Sequence, residues 1–242
     1  MVPQAGLDTR TWREVTELGG QLAQLPDLPD VSSGASIALV FDWENWWAID
    51  GRDHPIALDY LTLAHRWHAA LHRQNLAVDI VNTTSDLSAY SLVVAPQQYL
   101  LGDEGAANLS AYVEQGGNLF ISAFSDVVDQ DDAFREGGFI VSLREVLGVA
   151  LEDFGALVPP ESVRSADSAG EVASHAVPDG PGQSEAPLDG PAGRIVGQYF
   201  AEELIVQDAE VLGRFTEGRT AGRAAFTLSL IHISEPTRQE AI

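Results

Sequence analysis

The chain has 242 residues, of which 45% are hydrophobic, so we expect one large folded domain with a buried core. Its 13 basic and 36 acidic residues give a formal net charge of −23, which argues against binding to nucleic acid or to anionic membranes. The chain contains neither cysteine nor lysine, which excludes disulfides, thiolate nucleophiles, Schiff-base lysines and lysine-based phosphate loops within it.

No run of the sequence approaches the ~18 apolar residues that a membrane span needs. The first residues also lack the basic and apolar segments of a signal peptide. The sequence therefore predicts a cytoplasmic protein.

The first predicted element is an amphipathic helix over residues 8–25. Its apolar residues recur every three or four positions, and Pro26 and Pro29 end it. One helix cannot bury its own apolar stripe, so this stripe needs a partner. Its members are Trp12, Val15, Leu18, Leu22 and Leu25.

Buried strands and amphipathic helices alternate over the next hundred residues. This alternation is typical of right-handed crossovers and of a parallel sheet covered by helices on both faces. The sequence therefore predicts a doubly wound, mostly parallel α/β domain. The predicted strands are 35–42, 76–81, 92–95 and 119–123, and the predicted helices are 57–74, 103–115 and 142–147.

Residues 159–193 are rich in Pro, Gly, Ser, Ala and Asp, which predicts a flexible insertion. Strands are predicted again at 195–200, 209–215 and 224–227, as an added sheet or an edge hairpin. The last segment, 228–242, fits none of the preceding patterns. Within it, Leu228 to Arg238 resembles, letter for letter, the in-frame translation of a transposase sequencing adapter, so we expect a non-native tail.

The densest candidate site follows the first predicted strand. Asp42 and Glu44 stand where ligands bind in doubly wound sheets, which allows an acid–base or metal-binding role. The alternative, which we favour, is that Asp42 caps backbone amides while the neighbouring tryptophans pack against a partner surface. Trp43, Trp46 and Trp47 lie on a predicted connecting segment and are therefore candidates for an interface.

Two other clusters are weaker candidates for metal binding. Asp129, Asp131 and Asp132 lack the glycine and glutamate spacing of a calcium loop and favour a solvated acidic turn. The histidines at 65, 68 and 72 share a helix face without a carboxylate among them. Neither GxGxxG nor GxSxG occurs. The residues alone therefore predict no catalytic, cofactor-binding or metal-binding site.

Several separated motifs resemble one known family. They are FDWENWWA (41–48), VVAPQQYLL (93–101), YVEQGGNLFIS (112–122), FSDVVDQDD (124–132) and LREVLGV (143–149). Together they resemble the middle domain of bacterial β-galactosidases of glycoside hydrolase family 42. The likeness covers roughly 35–155 and 194–227, and the opening MVPQAGLDTRTWREV resembles the segment that leaves the catalytic barrel of this family.

The resemblance implies a trimerisation domain over 35–227 with a glutamine-amidotransferase-like or flavodoxin-like fold. It implies that residues 1–30 are the end of a (β/α)₈ barrel, and that the two catalytic glutamates of a retaining mechanism lie upstream of Met1. The parent enzyme would be a homotrimer that binds galactosides through that barrel. Two alternatives remain, a self-sufficient enzyme using Asp42 and Glu44 and a stand-alone sugar-binding module.

Overall fold

The computed structural model describes residues 6–26, 33–51, 54, 58–157, 185–229 and 231. The chain divides into two units, Met1–Ser33 and Gly34–Ile242. In the first unit, α1 spans Arg10–Leu22, and the Thr9 side chain caps it by accepting the Trp12 N–H at 3.2 Å. The helix predicted at 8–25 is thus confirmed, with shorter bounds. No residue of α1 is buried.

The second unit begins with an all-parallel sheet of four strands in the order β2-β1-β3-β4. This sheet confirms all four predicted strands and the mostly parallel α/β architecture. Its strands are β1 (Ile37–Val40), β2 (Val78–Val81), β3 (Leu92–Ala95) and β4 (Asn118–Ile121). Its helices are α2 (Trp43–Ile49), α3 (Tyr60–Arg73), α4 (Asp103–Glu114) and α5 (Arg144–Leu147).

Helices cover both faces of this sheet because alternate strand residues point to opposite sides. Ile37, Leu39 and Val94 form one buried cluster, against which Trp67 and Leu71 of α3 pack. The residues between them face the other way, into a core shared with α4 and α5. That core includes Ala38, Val40, Val93, Ala95, Leu109, Tyr112 and Val146.

The remaining strands form two antiparallel sheets. One has two strands, β5 (Val149–Ala156) and β8 (Phe200–Val206). The other has four strands in the order β10-β9-β6-β7, with bounds Ala224–Ser229, Ala209–Phe215, Ala186–Gly190 and Gly193–Gly197. Strands after the parallel sheet were predicted, as an added sheet or an edge hairpin. However, β5 and β6 were not, and the single strand predicted at 195–200 is divided between β7 and β8.

The structure corrects the end of the predicted insertion. Residues 186–190 and Gly193 lie in paired strands, so the insertion predicted over 159–193 ends earlier. The part of that prediction covering 159–184 falls outside the described residues. At the other end of the second sheet, Leu228 and Ser229 belong to β10 and pair with Glu210 and Ala209. Two residues of the predicted tail therefore continue a strand.

Candidate functional site

The three candidate tryptophans lie on a helix and not on a connecting segment, so that part of the prediction is wrong. In α2, Trp43 is 59% exposed and Trp47 is 66% exposed, whereas Trp46 is partly buried against the core. Residues four apart share a helix face, so the two exposed indoles are neighbours. The candidate interface residues thus divide into two surface side chains and one supporting side chain.

Aromatic packing fixes the start of α2. Phe41 stacks on Tyr60 at a centroid distance of 5.3 Å, and it meets Trp43 edge-on at 5.6 Å. Trp46 lies 5.3 Å from Trp43 and 5.9 Å from Phe41. Because such edge and offset contacts restrict rotation of the rings, the Trp43 indole is held in a defined position although most of it faces solvent.

Asn45 ties α2 to the loop that follows β3. It is fully buried, its Nδ2 donates to the Gln97 carbonyl at 3.0 Å, and its Oδ1 accepts the Leu100 N–H at 2.9 Å. Both polar ends of the amide are therefore satisfied inside the protein, as a buried polar group requires. The carboxyl ends of β1 and β3 are joined through this one side chain.

Asp42 has a related structural role. Its carboxylate accepts the Thr83 N–H at 3.3 Å and the Gln98 Nε2 at 3.0 Å, and it makes no capping hydrogen bond to α2. Burial raises the pKa of Asp42, and the hydrogen bonds from Thr83 and Gln98 oppose that rise. Glu44 is exposed and has no hydrogen bond or ion pair among the described residues. These contacts favour the backbone-binding alternative for Asp42 over an acid–base pair.

A cleft of about 620 Å³ opens where β1, β2 and β3 end. Its wall includes Asp42, Trp43, Glu44, Asn82, Thr84 and Glu104. Gly105 also lines the cleft, and this position needs glycine because a Cβ there would lie 2.6 Å from the Thr83 hydroxyl. We call this space the α2–α4 cleft.

The weaker candidates contribute no site. Asp129 accepts the backbone N–H groups of Asp131 and Ala133, so this segment is an exposed, self-capped turn, and these bonds lower the pKa of Asp129. The His68 and His72 rings stack at 6.0 Å on α3. Within the described ranges, no three metal-ligating side chains are grouped to hold an ion, and no helix is long and apolar enough to span a membrane.

Sequence reasoning missed one partly buried acid whose pKa is strongly raised. Glu202 in β8 accepts the Phe124 N–H at 2.7 Å, and burial raises its pKa to about 7. Phe124 has a φ of 63°, and Gln97, Asp126 and Ile140 also have positive φ. Such strained non-glycine residues cluster at ligand sites and tightly packed loops. No local pattern marks Glu202, because its partner lies 78 residues away.

Residues 35–232 match the family model of the β-galactosidase trimerisation domain. The β-galactosidase BgaB of Geobacillus sp. (strain Y412MC61) is 38% identical over 148 residues, which are 61% of this chain and 22% of that protein. The β-galactosidase LacZ of Heyndrickxia coagulans is 29% identical over 229 residues, covering 94% of this chain and 31% of the relative.

A solved structure gives the same result. The crystal structure of β-galactosidase from Bacillus circulans sp. alkalophilus matches with a TM-score of 0.69 and 29% identity, over 94% of this chain and 32% of that one. This chain therefore spans less than a third of each of these three proteins. The family match covers most of the chain and includes all five motifs that predicted it. The chain belongs to the family of trimerisation domains found in glycoside hydrolase family 42 β-galactosidases.

Proposed function

We propose that this chain is the trimerisation part of a β-galactosidase and holds three subunits together. The parent enzyme releases terminal β-D-galactose by a retaining mechanism, in which one carboxyl group protonates the leaving oxygen and a second forms the glycosyl-enzyme. Both catalytic glutamates belong to a barrel outside this chain. The proposal is supported by the family match over 35–232 and by the activity in the names of the relatives.

The single observation that carries the interface is the exposed pair Trp43 and Trp47. Threefold closure uses a heterologous interface, so this pair meets a different surface on the next subunit. A tryptophan side chain presents ~200 Å², and burying its exposed part contributes about 3 kcal/mol at ~25 cal/mol per Å². Trp46 supports the pair from the core side and is not itself a contact.

The first unit supports the same proposal. Five large apolar residues in and beside α1 are 45–62% exposed: Leu7, Val15, Leu18, Leu22 and Leu25. An amphipathic helix is stable when its apolar face is covered. In the parent enzyme, we assign that covering surface to the catalytic barrel.

We also assign the parallel sheet to the flavodoxin-like folds, one of the two fold names that the family resemblance implies. The order β2-β1-β3-β4 agrees with the first four strands of the flavodoxin-like order. Helices on both faces are consistent with it.

Light scattering on the purified 242-residue chain tests the assembly. We expect a mass three times the 25.9 kDa of one chain, and Trp47→Ala shifts it towards the monomer because about 3 kcal/mol weakens association ~100-fold. Phe134→Ala, which removes an aromatic side chain that is 70% exposed elsewhere, is the matched control. Monomers in the unmodified chain, or equal loss of trimers in both variants, would contradict the role of α2.

A chromogenic galactoside tests the catalytic part of the proposal. We expect the purified chain to release no product. Hydrolysis that disappears in Asp42→Asn or Glu44→Gln would instead support the self-sufficient enzyme.

A further inference from the structure

The proposed trimer leaves one contact surface unassigned. Its threefold interface is heterologous, so the α2 surface of one chain has to meet a different surface on the next chain. The α2 surface carries the exposed indoles of Trp43 and Trp47, with the exposed side chains of Glu44 and Asp50 beside them. The receiving surface must therefore be apolar and must not repel carboxylates.

The β2 edge of the parallel sheet has an exposed apolar side chain. β2 is the outermost strand on its side of that sheet, and Ile80 on it is 63% exposed. Ile80 pairs with Leu39, which belongs to the buried cluster under α3. Paired residues of neighbouring strands point to the same face of a sheet, so Ile80 points to the α3 side.

Helix α3 supplies the other half of this surface. On one side of the helix, Trp67 packs on Phe120 of β4 and Arg66 donates to the Tyr199 hydroxyl. The opposite side of α3 therefore faces the β2 edge, and it carries Leu61, which is 48% exposed, and three histidines. We name the combined surface the α3–β2 flank, and its members are Leu61, His65, His68, His72 and Ile80.

The charges of the flank complement those of α2. Helix α3 contains no acidic residue, although the chain has 36, and its 14 residues include two arginines and three histidines. The acidic residue of β2, Asp79, pairs with Ala38 and so points to the other face of the sheet, where the Tyr90 hydroxyl donates to it. The α2 helix has a glutamate and no basic residue. This difference in charge favours contact between the two surfaces.

Other exposed apolar residues of the second unit form poorer receiving surfaces. Phe134 follows the acidic turn at 129–132, whose carboxylates would repel those of α2. Ile195 and Val196 are successive residues of β7 and point to opposite faces, and Ile205 shares its face of β8 with Glu203. The α3–β2 flank combines exposed apolar residues from two elements with an acid-free helix.

The α2 surface and the flank also adjoin each other on one chain. Phe41 contacts the Trp43 ring and stacks on Tyr60, and Leu61 follows Tyr60 in the first turn of α3. A heterologous contact between surfaces on opposite sides of a chain continues into a filament, whereas neighbouring, inclined surfaces allow a ring to close. Their placement is therefore consistent with a closed trimer.

We propose that the α3–β2 flank receives the α2 surface of a second copy of this chain. The two exposed indoles pack on Leu61 and Ile80, and the carboxylates beside them lie against the histidines of α3. The inference rests on the proposed trimer and names the surface that the tryptophans contact.

Light scattering on variants of the full chain tests the flank. Ile80→Glu puts a carboxylate where the acidic α2 surface docks, so we expect association at least ~100-fold weaker and a mass near that of one chain. Leu61→Glu, on the other element of the flank, should have the same effect, so the result does not depend on the folding of one variant. Ile195→Glu is the matched control, because it makes the same change at a 41% exposed position on the edge strand β7, and it should remain a trimer.

A double variant tests the pairing itself. Trp47→Arg alone should also give monomers, whereas Trp47→Arg combined with Ile80→Glu places opposite charges on the two surfaces. We expect the double variant to associate at least ~10-fold more tightly than either single variant.

The outcomes separate this inference from the proposed trimer. Trimers in Ile80→Glu and Leu61→Glu, an equal loss of trimers in Ile195→Glu, or a double variant no tighter than the single ones would overturn the inference and leave the trimer standing. Monomers in the unmodified chain would contradict the trimer itself.

Discussion

Glu202→Gln is the substitution whose effect follows most directly from a single contact in the structure. The Glu202 carboxylate accepts the Phe124 N–H at 2.7 Å, and burial raises its pKa from the ordinary 4.5 to about 7. Glutamine keeps a carbonyl oxygen for the same N–H but cannot ionise. The substitution therefore removes the titration and leaves the hydrogen bond in place.

The sign follows from proton binding. Between its two pKa values, the carboxyl group is protonated in the folded chain and ionised in the unfolded chain, so stability falls as pH rises. The contribution is complete below about pH 4.5 and is lost as pH rises through about 7. The difference between these values corresponds to at most about 3 kcal/mol, at 1.36 kcal/mol for each pKa unit.

Urea unfolding followed by tryptophan fluorescence measures this effect. Relative to the unmodified chain, we expect Glu202→Gln to gain stability between about pH 5 and about pH 8, by about 2–3 kcal/mol. Glu210→Gln is the matched control, because it removes an equal charge from an exposed position on β9. A difference between Glu202→Gln and the unmodified chain that stays constant with pH, or a pH effect equally large in Glu210→Gln, would refute the reasoning.

Three further substitutions test the packing around the cleft, each by the free energy of unfolding in urea. Asn45→Ala should destabilise the chain by about 2–4 kcal/mol, because it leaves a buried carbonyl and a buried N–H without partners. A loss below about 1 kcal/mol would show that the Asn45 hydrogen bonds do not hold α2 to the loop after β3. Gly105→Ala should cost about 1–3 kcal/mol, because the added Cβ would lie 2.6 Å from the Thr83 hydroxyl. Its control is Gly20→Ala in α1, whose added Cβ would meet nothing within 4 Å and should cost nothing. Trp46→Ala should destabilise the folded monomer by about 3 kcal/mol through loss of core packing, and a neutral result would show that Trp46 does not support α2.

The parallel sheet is the part of the fold that the sequence predicts best. Strands buried on both faces carry nearly continuous apolar runs, as the largely buried β1 and β3 do. All four strands were predicted at or within a few residues of their observed bounds, including the more exposed β2 and β4. By contrast, β5 and β8 pair across about 50 residues, and β5 contains Glu152 and Asp153. The register of β5 depends on a strand that is distant in the sequence, so the local pattern of apolar residues does not predict it.

The candidate site shows the same limit. The helix α2 has only seven residues, too few for a clear helical period, and tryptophan is a modest helix former. Tertiary contacts hold it, above all the Asn45 hydrogen bonds to residues 97 and 100. The sequence therefore marks the tryptophans as unusual but does not predict which of them are exposed, or that Asp42 binds Gln98.

The division of the tryptophans on α2 also makes the chain a spectroscopic reporter. Only two of the five tryptophans, both on this helix, are largely exposed in the described structure. Indole emission moves to shorter wavelength when water is removed from around the ring. Any event that covers this helix will therefore shift the emission of the unlabelled protein, so association could be followed in real time without attaching a dye.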